Sequence, residues 1–150
     1  MRARVQAEIA GRLSEAEALW YDTSRWSSFI DGFARLQSVE PGWPREGRLV
    51  WDSRPDGRGR VVENVARYAA GDGQDTEYED EKTTGTQSVR FAPVGEDAVH
   101  ISLEQRWSLK SSFPGSALVD ALFIRRAVKD SLARTLRRFA IELRAERELS

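Results

Sequence analysis

The chain of 150 residues has no cysteine, one histidine and one methionine. Without cysteine there are no disulfides, thiolate metal sites or cysteine nucleophiles, which fits a reducing compartment. One histidine is too few for a zinc or other transition-metal site of ordinary composition, so no metal is expected. Neither charge sign dominates: 23 lysines and arginines stand against 24 aspartates and glutamates. That balance gives no overall field to concentrate nucleic acid or anionic lipid. No stretch approaches the roughly 20 apolar residues of a membrane span, and "MRARVQAEIAGRL" has no apolar run long enough for a signal peptide. The expectation is one cytoplasmic domain over residues 1–150, with no cofactor, no nucleic-acid partner and no integral membrane segment. Oligomeric state is left open.

What the chain does have is periodicity. Val5, Ala7 and Ile9 alternate with Arg4, Gln6 and Glu8, the pattern of a half-buried strand. Ser14 offers a helix cap, followed by Ala16, Leu19 and Trp20 at helical spacing, and Asp22-Thr23-Ser24 offers a second cap before Trp26, Phe29 and Ile30. Beyond Gly32 the period returns to two, punctuated by "EPGWPREG", "RPDGRG", "AGDGQD", "TTG" and "PVGED", which reads as antiparallel hairpins. The clearest strand runs from Ala98 to Lys110, with Val99, Ile101, Leu103, Gln105 and Trp107 on the buried face and His100, Ser102 and Glu104 on the wet one. The same test turns Leu49, Trp51, Ser53, Gln87, Val89 and Phe91 inward. It also turns Val62, Asn64, Ala66 and Tyr68 inward, with Glu63 and Arg67 outward. A bulge would invert any such assignment. From about residue 116 to residue 147 the pattern is helical, with Leu118, Leu122, Val128, Leu132, Leu136, Phe139 and Leu143 in one stripe. At 1.5 Å per residue that helix is roughly 48 Å long and must cross the whole domain.

Five polar residues fall on inward strand positions: Asn64, Tyr78, Asp80, Lys82 and Gln105. An unpaired charge in a dry core costs several kcal/mol, so these groups must face one another, water or a ligand. Asp80 and Lys82, two apart on one face, are placed to pair. Alternatively, a bulge near Gly85 turns both outward. Other signals resolve into ordinary structure. His100 lies on the wet face with no group to orient it as a base. "AGDGQDTEYED" has Glu77 where a calcium loop needs glycine. "DGRGR" precedes no helix and so makes no phosphate cradle. The arginines of the last helix are read as a solvated face, with a membrane surface or acidic partner as the other use.

The segment "VQAEIAGRLSEAEALWYDTSRWSSFIDGFARLQSVE", with Trp20, Asp22, Trp26, Phe29 and Gly32 in order, and the closing "ALVDALFIRRAVKDSLARTLRRFAIEL" resemble the START-like (SRPBCC, Bet v 1-like) superfamily. Within it, the chain is most similar to the polyketide cyclase/dehydrase-like and lipid-transport-like proteins. The resemblance implies an α+β helix-grip fold: a curved antiparallel sheet of about seven strands wrapped around a long C-terminal helix, with two short helices after the first strand. It also implies a cavity between sheet and helix for an apolar or amphipathic molecule. The iron-dependent oxygenase branch needs two histidines and is closed, and "EPGWPREGR" stands where plant-allergen-like members have a glycine-rich loop. The expected activity is binding of a lipid, quinone or polyketide-like compound. The expected ligand-binding residues are Trp26, Phe29, Trp51, Asn64, Tyr78, Asp80, Lys82, Phe91, Leu103, Gln105, Trp107, Leu118 and Leu122, with no catalytic residue assigned. The alternatives are an aromatase/cyclase or dehydratase using Tyr78, Asp80 or Lys82 to move protons, and a protein-interaction module with a packed core.

Overall fold

The computed structural model describes residues 1–110 and 117–149. The first alternating segment is β1 (Arg2–Ala10), and the chain turns through Gly11 into α1 (Leu13–Tyr21). Ser14 does not cap this helix. The Gly11 N–H is tied to the Asp97 carbonyl at 2.9 Å, the helix starts at Leu13, and Arg12 takes the cap position without a side-chain bond. Asp22 does cap: its Oδ1 accepts the Ser24 N–H at 3.1 Å and opens a 3-10 turn (Thr23–Arg25) that leads into α2 (Trp26–Phe29).

Six further strands follow: β2 (Phe33–Val39), β3 (Arg48–Ser53), β4 (Arg60–Ala69), β5 (Gly73–Glu79), β6 (Thr83–Val94) and β7 (Ala98–Leu109). The chain ends in α3 (Ala117–Leu149). The strands form one antiparallel seven-stranded sheet in the order β1-β7-β6-β5-β4-β3-β2. Consecutive hairpins build most of it, and β1 returns to pair with β7 from Arg2 opposite Arg106 to Ala10 opposite Ala98. This is the α+β helix-grip arrangement. The core lies between the inner face of the curved sheet and α3. Leu132, Leu136, Phe139 and Leu143 of the helix share one buried cluster with Ile9, Leu19, Trp20 and Phe29. Phe139 sets its edge against Trp20 at 5.5 Å and Phe29 at 5.2 Å between ring centres, a geometry favoured by the ring quadrupoles.

Two inferred orientations change. Strand β4 faces the other way in its first half: Val61 and Glu63 are buried, while Asn64 is exposed and bonded to Arg48 on the outer face. A bulge between Val65 and Arg67 shifts the parity, so Tyr68 still turns inward against Tyr21. No uniform alternation accommodates both Val61 and Tyr68 on one face; the bulge does. The helix stripe also begins later than its pattern implies. Leu122 is 59% exposed and Phe123 76%, and full burial starts at Leu132. The side chain of Leu118 and the segment "SSFPG" lie outside the described residues. Ser102 keeps its outward position but is buried there beneath Arg4, whose Nε donates to its Oγ at 2.9 Å.

At Gly85, on β6 opposite Trp107 of β7, there is no room for a side chain. A Cβ on Gly85 would stand 1.8 Å from the Arg106 carbonyl oxygen, a backbone atom that cannot give way alone. Gly85→Ala is therefore expected to lower unfolding free energy by about 1–3 kcal/mol, read from the urea midpoint at unchanged slope.

Candidate functional site

Between the sheet and α3 lies a cavity with two kinds of wall. Trp20, Trp26, Ile30, Trp51, Val89, Leu103 and Leu132 supply apolar surface; Arg58, Glu63, Gln74, Thr76, Gln87, Gln105 and Thr135 supply polar groups. About 50 Å³ of it is open to the centres of water molecules, room for about three to five waters. Its roof is held by ionic clasps between α3 and the α2 region. The Asp31 carboxylate accepts from Ser131 at 2.7 Å, from Arg134 through two bonds of 3.0 Å, and from Arg138 at 3.2 Å. Arg25 reaches Glu142 at 2.9 Å and also pairs with Glu146.

The polar wall is organised around Arg58, from the turn between β3 and β4. Its guanidinium sits over Tyr78 at 5.0 Å and over Trp51 at 5.6 Å from the ring centres, a favourable cation–π setting. Its Nε donates to Asp80 Oδ2 at 2.8 Å. The other carboxylate oxygen of Asp80 accepts the Thr83 N–H at 2.7 Å, the Lys82 N–H at 3.0 Å and the Thr83 hydroxyl at 2.9 Å. The Tyr78 hydroxyl lies 2.9 Å from Thr83 Oγ1 and accepts from Gln105 Nε2 at 2.8 Å. Gln105, Tyr78, Thr83 and Asp80 thus make one chain of bonds ending on a charge-paired carboxylate.

Glu63 stands apart from that chain. It is 4% exposed, and its two oxygens accept from Trp51 Nε1 at 2.8 Å and from the Thr76 hydroxyl at 3.0 Å. Burial pushes its carboxyl above the ordinary range, and the Trp51 bond, the nearby Arg58 charge and the Thr76 bond only partly oppose this. Asp80 goes the other way. Burial alone would raise it, but the charge and hydrogen bond of Arg58 with the Thr83 and Lys82 amides outweigh burial and hold it low. Burial likewise raises the Tyr78 phenol.

Four buried side-chain polar atoms among the described residues have no hydrogen-bond partner: Tyr21 Oη, Arg58 Nη2, Gln87 Oε1 and Trp107 Nε1. Two of them, the Arg58 donor and the Gln87 acceptor, belong to residues that wall the cavity. Buried polar groups are nearly always satisfied, so this pair needs an explanation.

The residues expected from sequence separate into three sets. Trp26, Trp51, Leu103 and Gln105 stand on the cavity wall. Phe29, Tyr78, Asp80, Phe91 and Trp107 are buried around it, in the core or in the Arg58 network. Asn64, Lys82 and Leu122 are on the surface and do not reach the cavity, which corrects their inward assignment. Asp80 pairs with Arg58, not with Lys82, because Asp80 and Lys82 form the hairpin turn after β5, where only the Lys82 amide faces the carboxylate. Alternation overlooked Arg58 and Glu63, one in a loop and the other on the wrong side of a bulge.

A family model described as polyketide cyclase / dehydrase and lipid transport matches residues 1–144. The chain belongs to this family. Among solved structures, this polyketide cyclase/dehydrase and lipid-transport family member is similar to TTHA0849 from Thermus thermophilus, with TM-score 0.76 at 16% identity over 97% of this chain and 99% of that one. A START superfamily protein from Mycobacterium smegmatis gives TM-score 0.69 at 16% identity, covering 99% of each chain. Truncated norcoclaurine synthase from Thalictrum flavum gives TM-score 0.69 at 11% identity, over 93% of this chain and 91% of that one. At such identities the likeness is one of fold. No curated protein matches the chain in sequence. No helix among the described residues is long and apolar enough to cross a membrane.

The two carboxyls of this family member give opposite pH signatures. A lowered Asp80 contributes stability above the unfolded carboxylate range, and that contribution is lost as pH falls through its folded value. A raised Glu63 contributes stability below the unfolded value, and that contribution is lost as pH rises through its folded value. Asp80→Asn is therefore expected to be most costly at neutral pH and least at acid pH. Glu63→Gln, which copies the protonated acid, should gain on wild type as pH rises from about 4 to 7. Denaturant melts across that range check both; a wild-type-like slope for Glu63→Gln would show that Glu63 titrates normally.

Proposed function

We propose that this chain binds a compact, largely apolar small molecule carrying at least one polar oxygen, in the cavity between the sheet and α3. The observation that carries the reading is a cavity whose walls combine Trp20, Trp26, Trp51, Leu103 and Leu132 with the polar side chains of Arg58, Gln87 and Gln105. Apolar burial supplies most of the affinity, at about 25 cal/mol per Å² before ordering costs, and the polar wall orients the molecule. Family membership supports the same reading, since the family is described by polyketide chemistry and lipid transport. At about 50 Å³ the cavity is well below the roughly 150 Å³ that accommodates benzene, so a ring or an acyl chain enters only where the walls move apart.

A cyclase or dehydratase mechanism through Tyr78, Asp80 and Lys82 has little support. The first two are engaged by Thr83, Gln105 and Arg58, and Lys82 is exposed. A packed interaction module would not leave a cavity between the sheet and α3.

Mass spectrometry of organic compounds extracted from purified wild type, set beside Leu103→Trp, which extends a ring into the cavity, tests binding. A compound enriched in wild type and lost from a folded variant is expected. Identical profiles from the two proteins would count against an interior ligand.

A further inference from the structure

Resting on the binding reading above, we propose that Asp31 is the latch of the cavity: molecules enter through the seam between the α2–β2 turn and the middle of α3, and the bonds on Asp31 hold that seam shut. Size makes an opening necessary. The closed space has room for water alone, so anything larger reaches it through a wall that moves. Most of the wall is fixed. Strands β3 to β7 are joined side by side by backbone pairing, and they carry Trp51, Glu63, Thr76, Gln87 and Gln105. The opposite wall is divided. Ile30 and Asp31 stand on one side of a seam, with Ser131, Leu132 and Thr135 on the other, all of them on the cavity. Among the described residues, each hydrogen bond across this seam uses a side chain and each ends on Asp31. Its N–H donates to Thr135 Oγ1 at 2.9 Å, and its carboxylate accepts from Ser131, Arg134 and Arg138.

Exposed ion pairs as a rule contribute little, but this one is built differently. The Asp31 side chain is 16% exposed, and Arg134 grips both of its oxygens in the forked geometry that makes charge-assisted bonds strong. Burial alone would raise the Asp31 carboxyl, but the bonds from Arg134 and Ser131 and the charges of Arg134 and Arg138 outweigh it and hold the carboxyl low, so the clasp stays ionised at neutral pH. Because these bonds converge on one residue, they break together. A single displacement of the turn frees α3 from Ser131 to Arg138, about two turns of helix. The second clasp sits where a hinge is needed. Arg25 holds Glu142 and Glu146 further along α3, and none of these three residues walls the cavity. Phe139, with its edge against Trp20 and Phe29, keeps that half of the helix seated while Asp31 lets go.

Hydrogen exchange at the Trp51 indole reads the opening without any ligand, because that N–H is buried on the cavity wall and bonded to Glu63. Asp31→Asn keeps the shape of the side chain and removes its charge. It is expected to speed the exchange about tenfold or more, the scale of losing one charge-assisted pair. Arg25→Gln, which removes the clasp lying off the cavity, should stay close to the wild-type rate. The same three proteins are then mixed with N-phenylnaphthylamine, a neutral apolar probe whose emission rises on leaving water. Asp31→Asn should take it up faster by a similar factor, and Arg25→Gln should not. If Asp31→Asn does not fold, Arg134→Gln, altered on the exposed side of the clasp, should show the same direction with a smaller size. Equal acceleration by both clasp variants would mean general loosening, and no acceleration in Asp31→Asn would mean another route; either overturns the latch and leaves the cavity reading intact. Faster exchange in Asp31→Asn alone, with the probe taken up by none of the proteins, supports the seam and counts against the binding reading.

Discussion

The interior of this protein depends on the pairing of Arg58 with Asp80. A guanidinium whose side chain is only 27% exposed, over the Tyr78 and Trp51 rings, is tolerable because a carboxylate at 5% exposure lies 2.8 Å away and is itself satisfied by two backbone amides and a hydroxyl. Removing either member would leave an uncompensated charge in a dry wall. The pair also links distant parts of the chain. Arg58 comes from the β3–β4 turn and Asp80 from the β5–β6 turn, and their contact brings these two hairpin ends together over Tyr78. The Tyr78 hydroxyl then orders Gln105 on β7, so the polar wall spans the middle of the sheet as one connected network.

That network explains why the space between sheet and helix is not filled with leucines. Beside it, Phe139, Trp20 and Phe29 lock α3 to α1 and α2, and the ionic clasps from Asp31 and Arg25 fix the helix over the cavity. With the helix anchored there, the polar network can remain partly unsatisfied without collapse, and a small cavity persists. A rigid roof and a charged but neutralised wall suit recognition by a few directed contacts.

The fold was legible because its signals are local and repeated. Alternation in β1, β3, β6 and β7, the Asp22 cap and the long apolar stripe each point to one element, and together they are consistent with one architecture. The site was legible only where alternation held. Trp51, Leu103 and Gln105 stand where a period of two places them. Asn64 and Glu63 exchange faces because the Val65/Arg67 bulge changes the parity of β4, and a charged residue ordinarily reads as outward. Leu122 reads as inward because it lies in the apolar run that opens α3, but Arg125 and Arg126 follow at helical spacing and full burial of the stripe begins only at Leu132.

The sequence by itself determined the class of the protein: strand, two short helices, six strands and a long helix, with too few histidines and no cysteines for the metal and thiol chemistries. Periodicity and composition carry such information because secondary structure and ligand inventory depend on neighbours along the chain. Tertiary structure alone decided what faces the cavity. Arg58 reaches it from a glycine-rich turn that reads as surface, and Glu63 reaches it through a bulge. Their burial depends on partners 22 residues away at Asp80 and 13 at Thr76, brought together by sheet pairing. The cost of burying a charge is settled by those partners and not by the local sequence.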